Sequence, residues 1–309
     1  MAASEKRVLR ACEQVLDRIE ANPAYDRTSG LLVEVGGQVR LAVTRRGPAM
    51  ADVFSVTKSV TATLVGIALA DGLIPDLDTP ADPSPHTWRQ LLTMTRGCET
   101  DGVWGLDAVM ALPAGWTNHW LAAPQVTDPG KKFRYDDGAY HLLSAALVAL
   151  IDVPFADYAA ERLFAPLGIN EWAWATDPAG LPLGFGHLCL DRPALAALGR
   201  LWLDQGRVDG QEMLPPKFAK AMVTAHTPGG APEWKGYGFG LWIDKTGYFA
   251  SGWAGQHVLM LPTADAVIVT TSDAGFDPGP PPTDEMPEGW RPAVKLVREI
   301  LMPVLLDQS

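Results

Sequence analysis

Positive charge and long apolar runs are both scarce in this 309-residue sequence. Lysine and arginine number 25 against 36 aspartates and glutamates, which gives a net charge of -11 at pH 7. Because no basic stripe is present, nucleic acid and anionic membrane surfaces are not expected as partners. No uninterrupted apolar stretch is long enough to span a bilayer, so no membrane association is expected.

Cysteine and export signals are equally sparse. The three cysteines, Cys12, Cys98 and Cys189, are widely spaced and form no C-x-x-C pair, which is typical of reduced, structural thiols. The first residues form an amphipathic pattern without the apolar core and cleavage site of a signal peptide, so a cytoplasmic location is expected. The sequence has neither H-E-x-x-H nor G-x-S-x-G, the signatures of zinc proteases and α/β-hydrolases.

Apolar periodicity divides the chain into strand-rich ends and a helix-rich middle. Alternating residues around Gly36-Gly37 predict a hairpin, and segments from Tyr237 onward predict further strands. A Pro- and Gly-rich loop, 275–292, precedes a last amphipathic helix. Helical periodicity predicts a buried helix from about Ser55, followed by helices over 87–96, 138–151, 155–165 and 192–205.

This order of elements predicts an α/β (α+β) fold, in which an antiparallel sheet is flanked by helices and carries an inserted, mainly helical lobe. Residues 1–75 and 230–309 are expected to form the α/β lobe, and residues 76–229 the helical lobe. The active site is expected in the cleft between the two lobes.

The predicted buried helix contains two polar residues near its start, Ser55 and Lys58. Residues three apart share a helix face, so the hydroxyl and the amine are expected to meet. The positive end of a helix and burial both lower the pKa of an amine, and the helix end favours a serine nucleophile. The alternative is a serine that caps the helix and a lysine whose head reaches water.

A second candidate group follows the turn at Pro129-Gly130. Asp137 looks like the cap of the next helix, which leaves Tyr135 in the preceding loop. A loop tyrosine is able to present its hydroxyl to a nucleophile as a proton carrier. The alternative is a tyrosine that only packs beneath the loop.

Two segments compete as the strand that faces the site. Lys245-Thr246-Gly247 matches a tripeptide that accompanies S-x-x-K in some serine enzymes, but its surroundings are typical of a tight hairpin turn. Ala250-Ser251-Gly252 leads into a strongly apolar strand instead. We therefore favour Ala250-Ser251-Gly252 as the edge that faces the site.

Together these segments resemble the serine β-lactamase/D,D-peptidase-like superfamily, and most of all its branch of esterases and 6-aminohexanoate-dimer hydrolases. The resemblance covers about residues 50 to 272 in the order of the family. The segments that carry it are FSVTKSVTATLVG, TWRQLLTMTRG, PGKKFRYDDGAYHLLSAAL, LFAPLGINEWAW, DRPALAALGRLWLDQGRVDGQEMLP, YGFGLW and SGWAGQ.

The resemblance implies a serine hydrolase that forms an acyl-enzyme and uses no metal or organic cofactor. Ser55 would be the nucleophile, Lys58 the amine that takes or shares its proton, and Tyr135 the acid/base. The backbone N–H groups of Ser55 and Trp253 would form the oxyanion hole. The resemblance further implies substrate-binding roles for Gly252, Ser251, Asp137 and Gln256.

Two departures from the family qualify these roles. The second motif of the family often ends in asparagine, but Asp137 stands here, and its carboxylate would hold Lys58 protonated unless it only caps a helix. Ala250-Ser251-Gly252 also lacks the cation that holds a substrate carboxylate in β-lactamases. Small neutral esters or amides are therefore the expected substrates.

Two other functions stay open at this point. One is a β-lactamase or D,D-peptidase that uses Lys245, and the other is a non-catalytic penicillin-fold protein that binds a ligand. Retention of Ser55, Lys58 and Tyr135 together favours an enzyme, because a binding protein needs none of the three for catalysis. The sequence indicates no oligomeric state.

Overall fold

The alternating segments of the chain form the strands of the computed structural model, which describes residues 3–275 and 286–307. In chain order the strands are β1 (Thr28–Val35), β2 (Gln38–Thr44), β3 (Ala51–Asp52), β4 (Ala173–Trp174), β5 (Leu188–Leu190), β6 (Arg207–Val208), β7 (Gln211–Glu212), β8 (Thr227–Gly230), β9 (Lys235–Tyr237), β10 (Trp242–Ile243), β11 (Tyr248–Gly252), β12 (Gln256–Leu261) and β13 (Ala266–Ser272). The largest sheet has eight strands in the order β2-β1-β13-β12-β11-β10-β9-β8, and every neighbouring pair is antiparallel.

Both ends of the chain contribute to this large sheet. β1 pairs with β2 through a turn at Gly36 and Gly37, whose φ angles of 60° and 69° are the left-handed values that glycine adopts most readily. On its other side β1 pairs with β13, for example Leu32 with Val269. The predicted hairpin and the predicted fold class, an antiparallel sheet flanked by helices, are therefore confirmed.

Most of the helices come from the middle of the chain. In chain order they are α1 (Ala3–Ala21), α2 (Val56–Ala70), α3 (Trp88–Leu92), α4 (Leu106–Met110), α5 (Trp116–Leu121), α6 (Asp137–Leu150), α7 (Phe155–Ala159), α8 (Arg192–Leu203), α9 (Pro216–Met222), α10 (Val294–Leu296) and α11 (Met302–Leu306). Among them α8 packs on β12 and β13, so a helix from the middle of the chain covers the sheet. The lobe boundaries 1–75, 76–229 and 230–309 stay a prediction.

Helix α2 packs against both α6 and β11, and this position makes it the central element of the site. Its polar side chains are satisfied inside the protein, as buried polar groups require. The hydroxyl of Ser59 donates to the carbonyl of Gly240 at 2.5 Å, and that of Thr61 to the carbonyl of Gly184 at 2.8 Å. Helix α2 is therefore hydrogen-bonded to two distant segments of the chain, at Gly240 and at Gly184.

The structure corrects two element boundaries. The strand expected from Tyr237 is divided into β9 and β10, because Gly240 has a φ of 75° and turns the backbone. A methyl group at Gly240 would lie 2.9 Å from Cβ of Ala62, so this turn needs glycine to pack on α2. The helix expected over 87–96 ends at Leu92, and Met94 with a φ of 52° breaks it. Within the loop 275–292, residues 276–285 lie outside the described residues.

Candidate active site

Ser55 stands at the N-cap position of α2, but its side chain makes no capping hydrogen bond. The residue before it, Phe54, has a φ of 47°, a conformation that costs a non-glycine residue about 1–3 kcal/mol. The backbone N–H of Phe54 donates to Oδ1 of Asp52 at 2.7 Å, which helps to hold this conformation. The capping alternative for Ser55 is therefore wrong, and its hydroxyl is available to other groups.

Lys58 is buried, with an exposed fraction of 2%. Its Nζ donates to three acceptors: Oγ of Ser55 at 2.9 Å, the carbonyl of Phe185 at 2.7 Å and Oδ1 of Asp137 at 2.7 Å. An ammonium has three N–H donors, so these acceptors satisfy it fully. The alternative in which the amine reaches water is wrong, because the three partners hold it inside the protein.

Asp137 is the first residue of α6, and the residue that caps this helix is Asp136. The Asp136 side chain accepts from the backbone N–H of Ala139 at 2.9 Å and pairs with the buried Arg96 at 2.5 Å. Arg96 also donates to the carbonyl of Trp120 at 2.8 Å. The interpretation of Asp137 as a cap is therefore corrected: Asp136 takes that role, and the carboxylate of Asp137 pairs with Lys58.

Tyr135 lies in the loop before α6, as the sequence predicts. Its ring stacks on Trp242 with 6.2 Å between ring centroids and 5° between planes. Nζ of Lys58 lies 4.9 Å from the centre of the same ring. Since both neighbours fix the ring, the tyrosine is held in one place beside the Ser55 and Lys58 pair.

The charges of this cluster set the protonation states of its members. Burial alone lowers the pKa of Lys58, but the charge of Asp137 and the proximity of Tyr135 outweigh it and raise that pKa. Burial raises the pKa of Tyr135, an effect that Lys58 and Ser55 oppose only in part. At neutral pH Lys58 is therefore a cation and Tyr135 a neutral phenol.

The edge of β11 approaches the start of α2. A methyl group at Gly252 would lie 2.2 Å from the carbonyl oxygen of Val53, so only glycine allows this approach. The ring of Trp253, which follows, meets the ring of Phe54 at 5.2 Å between centroids. In the described part of the chain, the backbone N–H groups of Ser55 and Trp253 have no hydrogen-bond acceptor.

The competing segment lies elsewhere. Lys245, Thr246 and Gly247 form the turn between β10 and β11, closed by a hydrogen bond from the N–H of Asp244 to the carbonyl of Gly247 at 2.8 Å. Ala250-Ser251-Gly252 is the end of β11 and carries the glycine that contacts Val53. The geometry therefore brings Ala250-Ser251-Gly252, and not Lys245, to the start of α2.

Two of the residues proposed for substrate binding are engaged with other parts of the protein. Gln256 is buried, and its side-chain amide donates to the carbonyl of Ser272 at 2.8 Å and accepts from the N–H of Ser272 at 3.3 Å. The hydroxyl of Ser251 donates to Oε1 of Glu233 at 2.6 Å. Gln256 thus ties β12 to β13, and its amide is not available to a substrate.

Four groups that shape this cluster cannot be recognised from the sequence, because each acts across a long separation or through the backbone. They are the Phe185 carbonyl, which is 127 residues from Lys58, the Arg96–Asp136 pair, Asp52 and Glu233. The Asp-Asp pair at 136 and 137 is the one sequence signal that indicates two different carboxylate roles.

The large antiparallel sheet flanked by helices matches the β-lactamase-like fold. The Beta-lactamase family model matches residues 30–286 of the chain. The chain belongs to the Beta-lactamase family. No curated protein matches the sequence.

Solved structures of several hydrolases and related proteins share this fold. A protein from Bacillus anthracis described as a 6-aminohexanoate-dimer hydrolase is 17% identical at a TM-score of 0.72, covering 95% of this chain and 81% of its own. A penicillin-binding protein from Bacillus halodurans is 18% identical at 0.70, covering 93% and 98%. EstCE1, a hydrolase with promiscuous acyltransferase activity, is 15% identical at 0.70, covering 97% and 100%. These identities establish likeness of fold alone.

The helices were also compared with what a membrane span requires. In residues 3–275 and 286–307, no single helix has both the length and the apolar composition for crossing a membrane. One strongly bent pair of helices, Asp137–Leu150 with Phe155–Leu167, has the length and apolar composition of a membrane span when its two parts are taken together. The first part of this pair is α6, which carries Asp137 into the site.

Proposed function

We propose that the protein is a serine hydrolase that acts through an acyl-enzyme on small ester or amide substrates, with Ser55 as its nucleophile. The observation that carries this proposal is the hydrogen bond of 2.9 Å from Nζ of Lys58 to Oγ of Ser55 at the start of a buried helix. A buried cation that donates to a hydroxyl stabilises the alkoxide form of that hydroxyl, which is the form that attacks a carbonyl.

The raised pKa of Lys58 determines which group takes the proton of Ser55. An ammonium cannot accept a proton, so the base is the phenolate of Tyr135, which is the minor form of this group at neutral pH and becomes more abundant as the pH rises. The phenolate removes the proton of Ser55 as Oγ bonds to the carbonyl carbon, and the resulting phenol protonates the leaving group. Water then attacks the acyl-enzyme and gives a proton to the same phenolate. The resulting phenol returns that proton to Oγ of Ser55 as the ester bond breaks, which releases the acid and restores the phenolate.

The negative charge that develops on the carbonyl oxygen needs donors in place before the reaction. The free backbone N–H groups of Ser55 and Trp253 lie on the two segments that meet at Gly252 and Val53, which supports their assignment as the oxyanion hole. Loss of one such donor typically costs about 10²–10³ in rate. No cation lies on the Ala250-Ser251-Gly252 segment, which disfavours penicillins and other substrates that carry a carboxylate.

The test is intact-protein mass spectrometry after exposure to a fluorophosphonate. One covalent adduct is expected on the wild type and none on Ser55→Ala, because the reagent reacts only with an activated serine. An unlabelled but folded wild type would favour the non-catalytic binding protein instead. A panel of short esters, amides and a chromogenic cephalosporin then separates an esterase or amidase from a β-lactamase.

Asp137→Asn is expected to move the acid limb of the pH–rate profile to lower pH. The carboxylate of Asp137 raises the pKa of both Lys58 and Tyr135, so its removal lowers both and lets the phenolate form at lower pH. At a pH on this limb, the kcat/KM of Asp137→Asn is expected to exceed that of the wild type by about tenfold for each pH unit by which the limb moves. Asparagine keeps an oxygen that accepts from Lys58, which protects the fold.

The matched control is Asp71→Asn, which removes a carboxylate at the opposite end of α2. This control is expected to leave the acid limb in place, since Asp71 pairs with Arg162 and not with Lys58. The measurement is kcat/KM for a short ester across pH in all three proteins. An acid limb that stays fixed in Asp137→Asn would contradict the phenolate mechanism.

A further inference from the structure

The segment between β8 and β9 lies beside the proposed site. A methyl group at Gly230 would lie 3.3 Å from the ring of Phe133, which is in the Tyr135 loop. Three residues later, Glu233 accepts a hydrogen bond from the hydroxyl of Ser251 on β11. The segment that carries Glu233 therefore contacts both the loop that carries Tyr135 and the strand that leads to Trp253.

No ion pair neutralises this carboxylate within residues 3–275 and 286–307. Lys235, two residues after Glu233, pairs with Asp244 at 3.0 Å, and Arg134 of the Tyr135 loop pairs with Glu99. The guanidinium of Arg298 lies 4.7 Å from the centre of the Phe249 ring. Glu233 is also only partly buried, and its second oxygen, Oε2, makes no hydrogen bond to the described residues.

Ser251, Glu233 and His257 do not form a second catalytic triad. Nε2 of His257 lies 3.3 Å from Oγ of Ser251, but the hydroxyl proton of Ser251 is directed to Glu233. In a triad the histidine stands between the serine and the acid, whereas here the serine stands between the other two. Burial lowers the pKa of His257, so this ring is neutral and leaves the charge of Glu233 uncompensated.

We propose that Glu233 is a specificity-determining residue that selects substrates with a cationic group and disfavours substrates with a carboxylate. This inference rests on the proposed function of Ser55. A carbonyl bound by the N–H of Trp253 lies next to the end of β11, so a substituent that extends along β11 passes Ser251 and meets Glu233. A partly buried carboxylate without a counter-ion attracts a cation there and repels an anion.

The same hydrogen bond explains why an anionic group is disfavoured at Ser251. A serine hydroxyl has one proton to donate, and that of Ser251 goes to Glu233 at 2.6 Å. A substrate carboxylate would therefore find neither a donor nor a cation at this point of β11.

The experiment compares two nitrophenyl esters that differ only in charge: a trimethylammonio-butanoate ester and its isostere with a tert-butyl group. The wild type is expected to prefer the cationic ester in kcat/KM by about tenfold, as a partly desolvated charge pair provides. Glu233→Gln is expected to reduce the ratio of the two values to near one. The preference is also expected to fall as salt concentration rises, because the charges are partly exposed.

The matched control is Glu212→Gln, which removes the same charge from β7 of a separate sheet and is expected to keep the preference. Ser251→Ala removes the hydrogen bond to Glu233 but keeps the charge, so this variant is expected to retain the higher kcat/KM for the cationic ester. It is the second variant to measure if Glu233→Gln fails to fold. Equal kcat/KM for both esters in the wild type, or an unchanged ratio in Glu233→Gln, overturns the assignment of Glu233. If neither ester is turned over in a Ser55-dependent way, the proposed function itself fails and this inference with it.

Discussion

Ser55→Ala is expected to lower the turnover of short esters by about 10⁴-fold or more, to the level left by substrate binding and the oxyanion hole. The reason is chemical: alanine has no oxygen to acylate, and no other nucleophile in the cluster has a base beside it. Ser251 on β11 donates its hydroxyl proton to Glu233 and is therefore not placed to attack a substrate carbonyl. The measurement is steady-state hydrolysis of nitrophenyl acetate and butyrate.

The same variant is expected to fold and to melt close to the wild-type temperature. Ser55 makes no capping hydrogen bond to α2, so its removal does not expose the helix end. Lys58 loses one acceptor but keeps the Phe185 carbonyl and Asp137 at 2.7 Å each. A folded variant that retains its activity would show that a different residue is the nucleophile, whereas an unfolded one would show that Ser55 supports the structure.

Local patterns were sufficient to predict the fold and the first pair of the site. β-Strands with alternating or apolar residues, such as β1 and β13, are recognised from their own sequences. The meeting of Ser55 with Lys58 depends only on a separation of three residues within one helical turn. The order of the segments in the chain then indicated the family, because seven matching segments in one order are far more specific than one motif.

Local sequence patterns do not predict contacts between distant segments of the chain. The carbonyl that holds Lys58 belongs to Phe185, and no property of a phenylalanine side chain marks its backbone as an acceptor. Asp136 and Asp137 were confused because both are aspartates, and only the backbone angles at Asp136 identify the cap. Glu233 lies 18 residues from Ser251 in an exposed segment with no periodicity, so its place became visible only in three dimensions.

Positions that are strained or tightly packed show how the fold supports the site. Phe54 is held at a φ of 47° beside Asp52, and Gly252 approaches Val53 more closely than any side chain allows. These two features bring the start of α2 and the end of β11 close together. Helices and strands can form without either feature, and both features lower the stability of the fold. Their presence here agrees with a role in the proposed reaction.

Tyr135→Phe is expected to lower kcat/KM for esters by about 10²–10⁴-fold, the contribution of a general acid or base. Phenylalanine keeps the ring that stacks on Trp242, so the loop is expected to stay in place. Because the pKa of Lys58 is raised, the lysine does not take over as base at neutral pH. Activity is therefore expected to stay low across the pH range, in contrast to the shifted but active profile of Asp137→Asn.

Two controls separate this loss from a general effect of removing a hydroxyl or a nearby charge. Tyr25→Phe removes a phenol near the end of α1, and Lys245→Ala removes the lysine of the β10–β11 turn; both are expected to leave kcat/KM nearly unchanged. If Tyr135→Phe retains wild-type kcat/KM, Lys58 must take the proton despite its pairing with Asp137. The acid limb of the wild type would then report the pKa of Lys58, and Lys58→Ala would be the variant that loses both the limb and the activity.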